Sequence, residues 1–255
     1  MQRRLLALFA PGERVLELGC GTGEDAVHLG RHGVRVLATD ASLGMVAAAR
    51  RKVAAAGLAD LVEVHQLAVE ELSRLGSQRR PEAPSSSAAL SPPGSEQAAP
   101  WAAGPPFDGA FSSFGGFNCV RGLHGAARDL AAVLRPGAHL LLCVMGPLVP
   151  WEWGWFLLRG RPAKAFRRLH RGGVAWRGVA IRYPAIGAMK RTFAPEFQAR
   201  RTAALGALLP PSYAEPWAAR HPRLLARLDR WERRWETLPP LPWLADHYLL
   251  ELERR

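Results

Sequence analysis

Residues 15–25 read VLELGCGTGED: an apolar run with Glu17 in its middle, glycines at 19, 21 and 23, and then two acids. The apolar pattern over 14–18 predicts a buried strand, and the alternating glycines free the backbone directly after it. A strand that hands over to a helix through so bare a loop presents backbone N–H groups to a ligand, commonly a phosphate. Two phosphate readings fail here. A nucleoside triphosphate loop ends in Gly-Lys-Ser/Thr, whereas Gly23 is followed by Glu24 and Asp25, which would repel phosphate. A dinucleotide loop requires G-x-G-x-x-G, whereas the spacing here is Gly19-x-Gly21-x-Gly23 and position 24 is Glu. The loop suits a ligand with no phosphate and a net positive centre.

Working outward, residues 24–31 suit a helix closed by Gly33, and VRVLATD (34–40) is a second apolar strand ending on an acid. Ser42 is placed to cap the next helix, in which Val46, Ala49 and Val53 recur at helical spacing and Gly57 supplies the stop. LVEVHQL (61–67) is the third strand. Residues 76–106, dense in Pro, Ser, Ala and Gly, lack the apolar residues needed to offset ordering entropy and predict a mobile surface loop inserted within the domain. The pattern resumes with FDGAFSSF (107–114) as the fourth strand, then a helix carrying Leu123, Ala127, Leu130 and Leu134 and stopped by Pro136-Gly137, then HLLLCVM (139–145) as the fifth strand. Alternating strands and helices of these lengths predict an α/β fold with a parallel, doubly wound sheet.

The chain has 255 residues, 48% of them hydrophobic, which excludes disorder throughout. Lys+Arg 34 against Asp+Glu 22 gives a net charge of +12, and because only Lys52, Lys164 and Lys190 are lysines the excess is arginine. Such a surface favours anionic partners, although codon bias in an Ala-, Gly- and Pro-rich chain also produces it. Cys20, Cys119 and Cys143 are too few and too scattered for a disulfide framework, and the apolar start is cut short at Pro11, so a cytoplasmic protein is expected. Residues 140–158 match a membrane span in length, but Gly146, Pro147, Pro150, Glu152 and Gly154 divide them into a strand, a turn and a second element.

On these residues the chain resembles the class I S-adenosylmethionine-dependent methyltransferases, whose first motif is an acid two residues before a G-x-G-x-G loop: here Glu17, Gly19, Gly21 and Gly23. Asp40 ends the second strand where that family has its ribose-binding acid; FDGAFSSFGGFN (107–118) is similar to its fourth motif, and LRPGAHLLL (134–142) to the segment entering its fifth strand. The resemblance covers roughly residues 10–145. It implies a mostly parallel seven-stranded sheet with an antiparallel C-terminal hairpin and helical insertions. FAPEFQARRTAALG, from Phe193, and DHYLLELERR, from Asp246, look like the strands of that hairpin. It also implies S-adenosylmethionine as cofactor, bound by Glu17, Gly19, Cys20, Gly21, Gly23, Asp40, Ala41, Met45, Val69 and Ser112. One departure is Ala68, standing where family members commonly place an acid for the adenine amine; Val69 still offers a backbone N–H, and Glu70 and Glu71 follow.

The resemblance implies methyl transfer by in-line displacement, for which the protein supplies orientation and exclusion of water. A hydroxyl or phenol acceptor would use a general base; His124 is the candidate just past the fourth motif, with Asn118 and Ser113 as candidates to orient the acceptor. No Cys/His cluster has metal-ligand spacing. Residues 1–145 read as the cofactor-binding core and 146–255 as acceptor-binding insertions together with the last two strands of the same domain. Trp151, Trp153, Trp155 and Phe156 precede Arg159, Arg161, Lys164, Arg167, Arg168 and Arg171, a pattern of an ordinary helical cap, a lid over an apolar acceptor, or a helix at a membrane interface. Leu224, Leu228, Trp231 and Trp235 form a helical stripe beside Arg223, Arg227, Arg230 and Arg234, expected to be a core helix with a solvated basic edge. Pro210, Pro211, Tyr213, Trp217 and Trp243, in an insertion over 206–244, would make the acceptor pocket apolar. The fourth motif reads SSFGG rather than the Asn/Asp-Pro-Pro-aromatic of enzymes acting on base amines, and no RNA-binding module is apparent, so nucleic acid is not the expected acceptor. A small or lipid-like acceptor such as a quinone, isoprenoid or phenol is expected, with peripheral membrane contact open. The competing readings are a catalytically silent cofactor-binding module and a nicotinamide-dependent reductase.

Overall fold

The computed structural model describes residues 1–77, 104–170, 172–176, 178–210 and 214–255. The expected loop at 76–106 therefore falls mostly outside the described residues, as do Arg171, Pro211 and Tyr213. Strands β1 (Arg14–Leu18), β2 (Arg35–Asp40), β3 (Val62–Gln66), β4 (Phe107–Ser112) and β5 (Leu134–Met145) alternate with helices α1 (Gln2–Leu8), α2 (Glu24–Gly30), α3 (Leu43–Ala55), α4 (Ser73–Ser77) and α5 (Leu123–Val133). There follow α6 (Pro150–Leu157), α7 (Pro162–Ala165), β6 (Val174–Trp176), β7 (Val179–Ile181), α8 (Ile186–Phe193), β8 (Phe197–Leu205), α9 (Glu215–Ala218), α10 (Pro222–Trp235), α11 (Leu241–Leu244) and β9 (His247–Arg254).

Seven strands form one sheet in the order β3-β2-β1-β4-β5-β9-β8, and β6 and β7 form a separate antiparallel hairpin. The β1–β2 and β2–β3 pairings are parallel, whereas β9 runs antiparallel to both β5 and β8. The expected class, a mostly parallel seven-stranded sheet closed by an antiparallel C-terminal pair, is what forms. The chain makes two compact units, one of Gln2–Ala110 with His124–Ala138, the other of Phe111–Leu123 with His139–Arg255 and Met1.

In the first unit the near-continuous burial of β1 and β2 is the signature of strands covered on both faces. Ser42 caps α3 as expected, its Oγ accepting from the Met45 N–H at 3.4 Å. The second unit packs Leu140, Leu142 and Val144 of β5 with Leu250 and Leu252 of β9, all fully buried or nearly so. Phe193 joins Phe117 and Phe197 in a run of tilted aromatic contacts at 6.1 and 5.8 Å.

Three expectations need correction. Helix α5 stops at Val133 and β5 begins at Leu134, ahead of Pro136 and Gly137. Proline disfavours the helical conformation of the residue before it, so the helix ends upstream of the proline, and Arg135 to Gly137 lie exposed at the strand's start. The penultimate strand begins at Phe197, because Ile186–Phe193 is helical with Ile186, Met189 and Phe193 buried on one face. The stripe of α10 is not core: Glu232 is the buried residue of that helix, while Leu224, Trp231 and Trp235 are exposed. Periodicity marked the stripe correctly but does not say which of two adjoining faces meets the protein.

Candidate cofactor and acceptor sites

All three glycines of the opening motif have positive φ, 67° at Gly19, 53° at Gly21 and 79° at Gly23. That region costs an L-residue with a side chain roughly 1–2 kcal/mol, which is the reason for glycine at every second position. At Gly23, the N-cap of α2, a Cβ would also sit 3.0 Å from the Cβ of Ala49. The loop is fixed to the second strand. Cys20 N–H donates to the Thr39 carbonyl at 2.8 Å, Thr39 Oγ1 donates to the Glu17 carbonyl at 2.8 Å, and Asp40 accepts from Gly21 N–H at 2.9 Å and from Ser42 N–H at 2.8 Å. The carboxylate at the end of β2 thus clasps the middle of the glycine loop and the start of α3 together.

Glu17 is buried, and its Oε2 has no hydrogen-bond partner. Burial, then the charges of Asp25 and Asp40, push its pKa well above the ordinary range, against the Ala26 N–H bond that lowers it. A buried carboxyl with an orphaned oxygen, two further carboxylates nearby and a loop of bare backbone are what a cationic, phosphate-free ligand requires. Burial, with Glu17 and Asp40 adding to it, also raises the Cys20 thiol, which leaves it a packing group rather than a nucleophile. Glu24 forms an exposed ion pair with Lys52. Ala41 and Met45 are exposed beyond Asp40, and Val69 is half-buried where it opens a 3-10 turn over Val69–Glu71. Glu71 turns back to accept from Ala68 N–H at 3.3 Å, so this acid serves its own turn.

In the second unit Ser112 is buried at the end of β4 and Ser113 is half-buried. Phe114 follows with φ 41°, the one positive-φ residue other than glycine among the described residues, 62% exposed and edge-on to His247 at 5.9 Å. A bulky side chain in that conformation is strained, and such strain concentrates at binding sites.

Asn118 is fully buried and its amide is committed to backbone. Nδ2 donates to the carbonyls of Met145 at 3.1 Å and Arg182 at 2.6 Å, Oδ1 accepts from Met145 N–H at 2.9 Å, and Arg182 N–H donates to its main-chain carbonyl at 2.8 Å. Two residues further along that wall, the hydroxyl of fully buried Tyr248 donates to the Pro184 carbonyl at 2.9 Å. Asn118 and Tyr248 therefore hold residues 182–184 as one side of a cavity of about 380 Å³. Its walls include Phe117, Val120, Leu123, Pro147 and Leu169, with His170, Arg168 and Arg182 supplying polar groups. Volumes of that order hold small organic ligands.

Arg168, although buried, is neutralised. Its Nε donates to Glu152 at 2.8 Å, its NH2 group to Asp246 Oδ1 at 2.5 Å, and its NH1 group to the carbonyls of Asp246 and Gly146 at 3.1 and 3.3 Å. For Asp246, burial acts upward but the bond from His247 and the charge of Arg168 outweigh it, leaving the carboxyl below its ordinary range. The Arg182 side chain, exposed at the cavity rim, donates to the Arg121 carbonyl at 3.4 Å. His124 is exposed at the second residue of α5. Sequence reasoning missed His170 and Arg182. Both sit in segments without a motif, and Arg182 is brought to Asn118 across 64 positions.

Residues 15–79 match a family model described as a methyltransferase domain. No curated protein matches the sequence. Among solved structures, the chain is similar over 99% of its length to 95% of an S-adenosylmethionine dependent methyltransferase from Mesorhizobium loti, at 20% identity and a TM-score of 0.57. It is similar over its full length to 93% of the CcbJ methyltransferase from Streptomyces caelestis, at 14% identity and a TM-score of 0.58. It also matches, over 97% of its length, 76% of the [4+2]-cyclase SpnF, at 17% identity and a TM-score of 0.54. Sheet order, glycine loop and these matches define the Rossmann-like fold of the class I S-adenosylmethionine-dependent methyltransferases. S-adenosylmethionine is accordingly the expected cofactor, and the residues fit it: Glu17 offers a buried, partnerless oxygen for a cationic ligand, and Asp40 presents a carboxylate at the end of β2.

Proposed function

We propose that the chain is a methyltransferase that moves the methyl group of S-adenosylmethionine to a small acceptor with an apolar body and one polar group. The observation that carries this reading is the cavity framed by Asn118, built from the loop that follows β4, apolar on most of its wall and polar at His170 and Arg182. The cofactor, when bound, supplies an electrophilic methyl carbon on a sulfonium; the protein's own share is to bind, orient and keep out water. Glu17, Asp40 and the glycine loop of Gly19, Cys20, Gly21 and Gly23 are the cofactor's holders in this reading, with Ala41, Met45 and Val69 beside them. Asn118 acts through the backbone it fixes and is a positioning residue. For a hydroxyl or phenol acceptor, His170 takes the role of base that position alone suggested for His124, because His170 lines the cavity. A quinone, an isoprenoid or a phenol has the apolar body that Phe117, Val120 and Leu169 would cover.

The test incubates purified protein and methyl-labelled S-adenosylmethionine with a cell extract, later separated into lipid, small-molecule and RNA pools. Label is expected in the lipid or small-molecule pool. Label confined to RNA overturns the acceptor. Absence of label with protein that is folded and binds S-adenosylhomocysteine establishes a silent cofactor-binding module instead.

A further inference from the structure

The methyl-transfer reading leaves one surface unused. On a helix of 3.6 residues per turn, Leu224, Leu228, Trp231 and Trp235 of α10 lie on one line, with Arg223, Arg227, Arg230 and Arg234 on a second line beside it and Glu232 on the other flank. Glu232 is buried and accepts from the backbone N–H groups of Gly206 at 2.7 Å, Leu208 at 2.8 Å and Leu209 at 3.3 Å, so its flank faces the protein. On the apolar line Leu228 is half-buried while Leu224, Trp231 and Trp235 are 40%, 51% and 40% exposed, and past the helix Leu238 and Trp243 are 51% and 42% exposed. Among the described residues, none of the four arginines has a carboxylate at ion-pair distance; the helix's ion pair is between Arg233 and Asp229.

A second apolar patch adjoins the loop that Glu232 grips. Ala207 of that loop lines a shallow groove of about 350 Å³ with Pro150, Trp151, Trp155 and Leu158 of α6 and its end, and Leu158 is 89% exposed. Arg159 lies over the Trp155 ring at 3.5 Å. The two arginine-flanked aromatic segments of the sequence therefore meet at one loop.

We propose that this surface docks onto an anionic lipid bilayer, with the Trp and Leu side chains entering the interface and the arginine row meeting the headgroups. Tryptophan is favoured at the depth where hydrocarbon gives way to headgroup, and an amphipathic helix with a cationic border lies in that plane. The net charge of +12 has the complementary sign. A second copy of the chain is a poorer occupant, because a two-fold contact would bring two such arginine rows towards each other. Nucleic acid would answer the arginines and leave the leucines in water. Docking is independent of the proposed methyl transfer.

The experiment sediments the full chain with vesicles of phosphatidylcholine alone or phosphatidylcholine mixed with phosphatidylglycerol. Binding is expected to the mixed vesicles and to weaken with salt. Replacing the four arginines by glutamine is expected to weaken it on the order of fivefold per arginine removed. Trp231→Ser with Trp235→Ser is expected to weaken it as well and to reduce quenching of tryptophan fluorescence by bromine-labelled acyl chains, with S-adenosylhomocysteine binding unchanged in both variants. Equal binding to neutral vesicles, an arginine variant that binds like the parent, or quenching indifferent to the tryptophan changes overturns the proposal. So does a solution dimer broken by the tryptophan variant while vesicles remain unbound.

Discussion

Asp40 accepts a backbone N–H at each of its oxygens, from Gly21 and from Ser42. It is therefore a fastening of the loop as well as the expected ribose acceptor. Asp40→Ala removes charged hydrogen bonds, each about 1.5 to 3 kcal/mol, and calorimetry should show S-adenosylhomocysteine binding weakened by at least one such bond. Unchanged affinity would mean the ribose assignment is wrong. Glu17 makes a prediction of the opposite kind. Its folded pKa is raised well above the ordinary 4.5. As pH rises past that ordinary value the unfolded chain releases the proton while the folded chain retains it, so stability present in acid is lost as pH climbs through the folded pKa. Thermal midpoints of Glu17→Gln should lack that decline and exceed those of the parent at neutral pH; parallel pH profiles would show that the carboxyl is not protonated in the fold. These residues were legible because a backbone conformation forced the glycines and a strand end placed the acid. The raised pKa was not, since it arises from Asp25 and Asp40 gathered around a buried group.

At the scale of elements, Arg168 ties α6, the end of β5 and the start of β9 through Glu152, Gly146 and Asp246. Removing Glu152 leaves buried Arg168 with the single carboxylate of Asp246, so Glu152→Ala should cost what a charged hydrogen bond contributes, about 1.5 to 3 kcal/mol, in denaturant unfolding. A loss below 1 kcal/mol, the range of an exposed pair, would place Arg168 in water. Asp246 adds a pH signature: its folded pKa is depressed, so its contribution is present above the ordinary 3.8 and disappears as pH falls through the folded value. Strands β1 to β4 and helices α2 and α3 were read from periodicity to within a few residues, whereas α1 and α4 were not read at all. Glu152, by contrast, sits among tryptophans in a sequence that gave no sign of its burial, and α10 showed two stripes without revealing that a third face, marked by Glu232, is the inner one.

For the whole molecule, the similarity to both methyltransferases and a [4+2]-cyclase shows that this fold does not by itself fix a reaction. The conformation of the glycine loop, positive φ at 19, 21 and 23, was legible at local range. The cavity proposed for the acceptor is assembled from residues 117–123, 147, 168–170 and 182–185, segments too far apart for any local pattern to announce. Asn118→Ala should raise the KM for the acceptor identified from extract while leaving S-adenosylhomocysteine affinity as it was. A change confined to kcat would instead place the amide in the chemistry.

The Asn118 amide also makes the site intolerant of a single-atom exchange. Its Nδ2 faces two carbonyl oxygens, at Met145 and Arg182. Deamidation, or the isosteric Asn118→Asp, would put an oxygen where that nitrogen stands, so a group of the same shape would repel what the amide draws in. Chemical ageing of one side chain would thus unclasp the cavity wall without altering its volume. Acid would partly mend the damage, by returning to the aspartate a proton with which to donate.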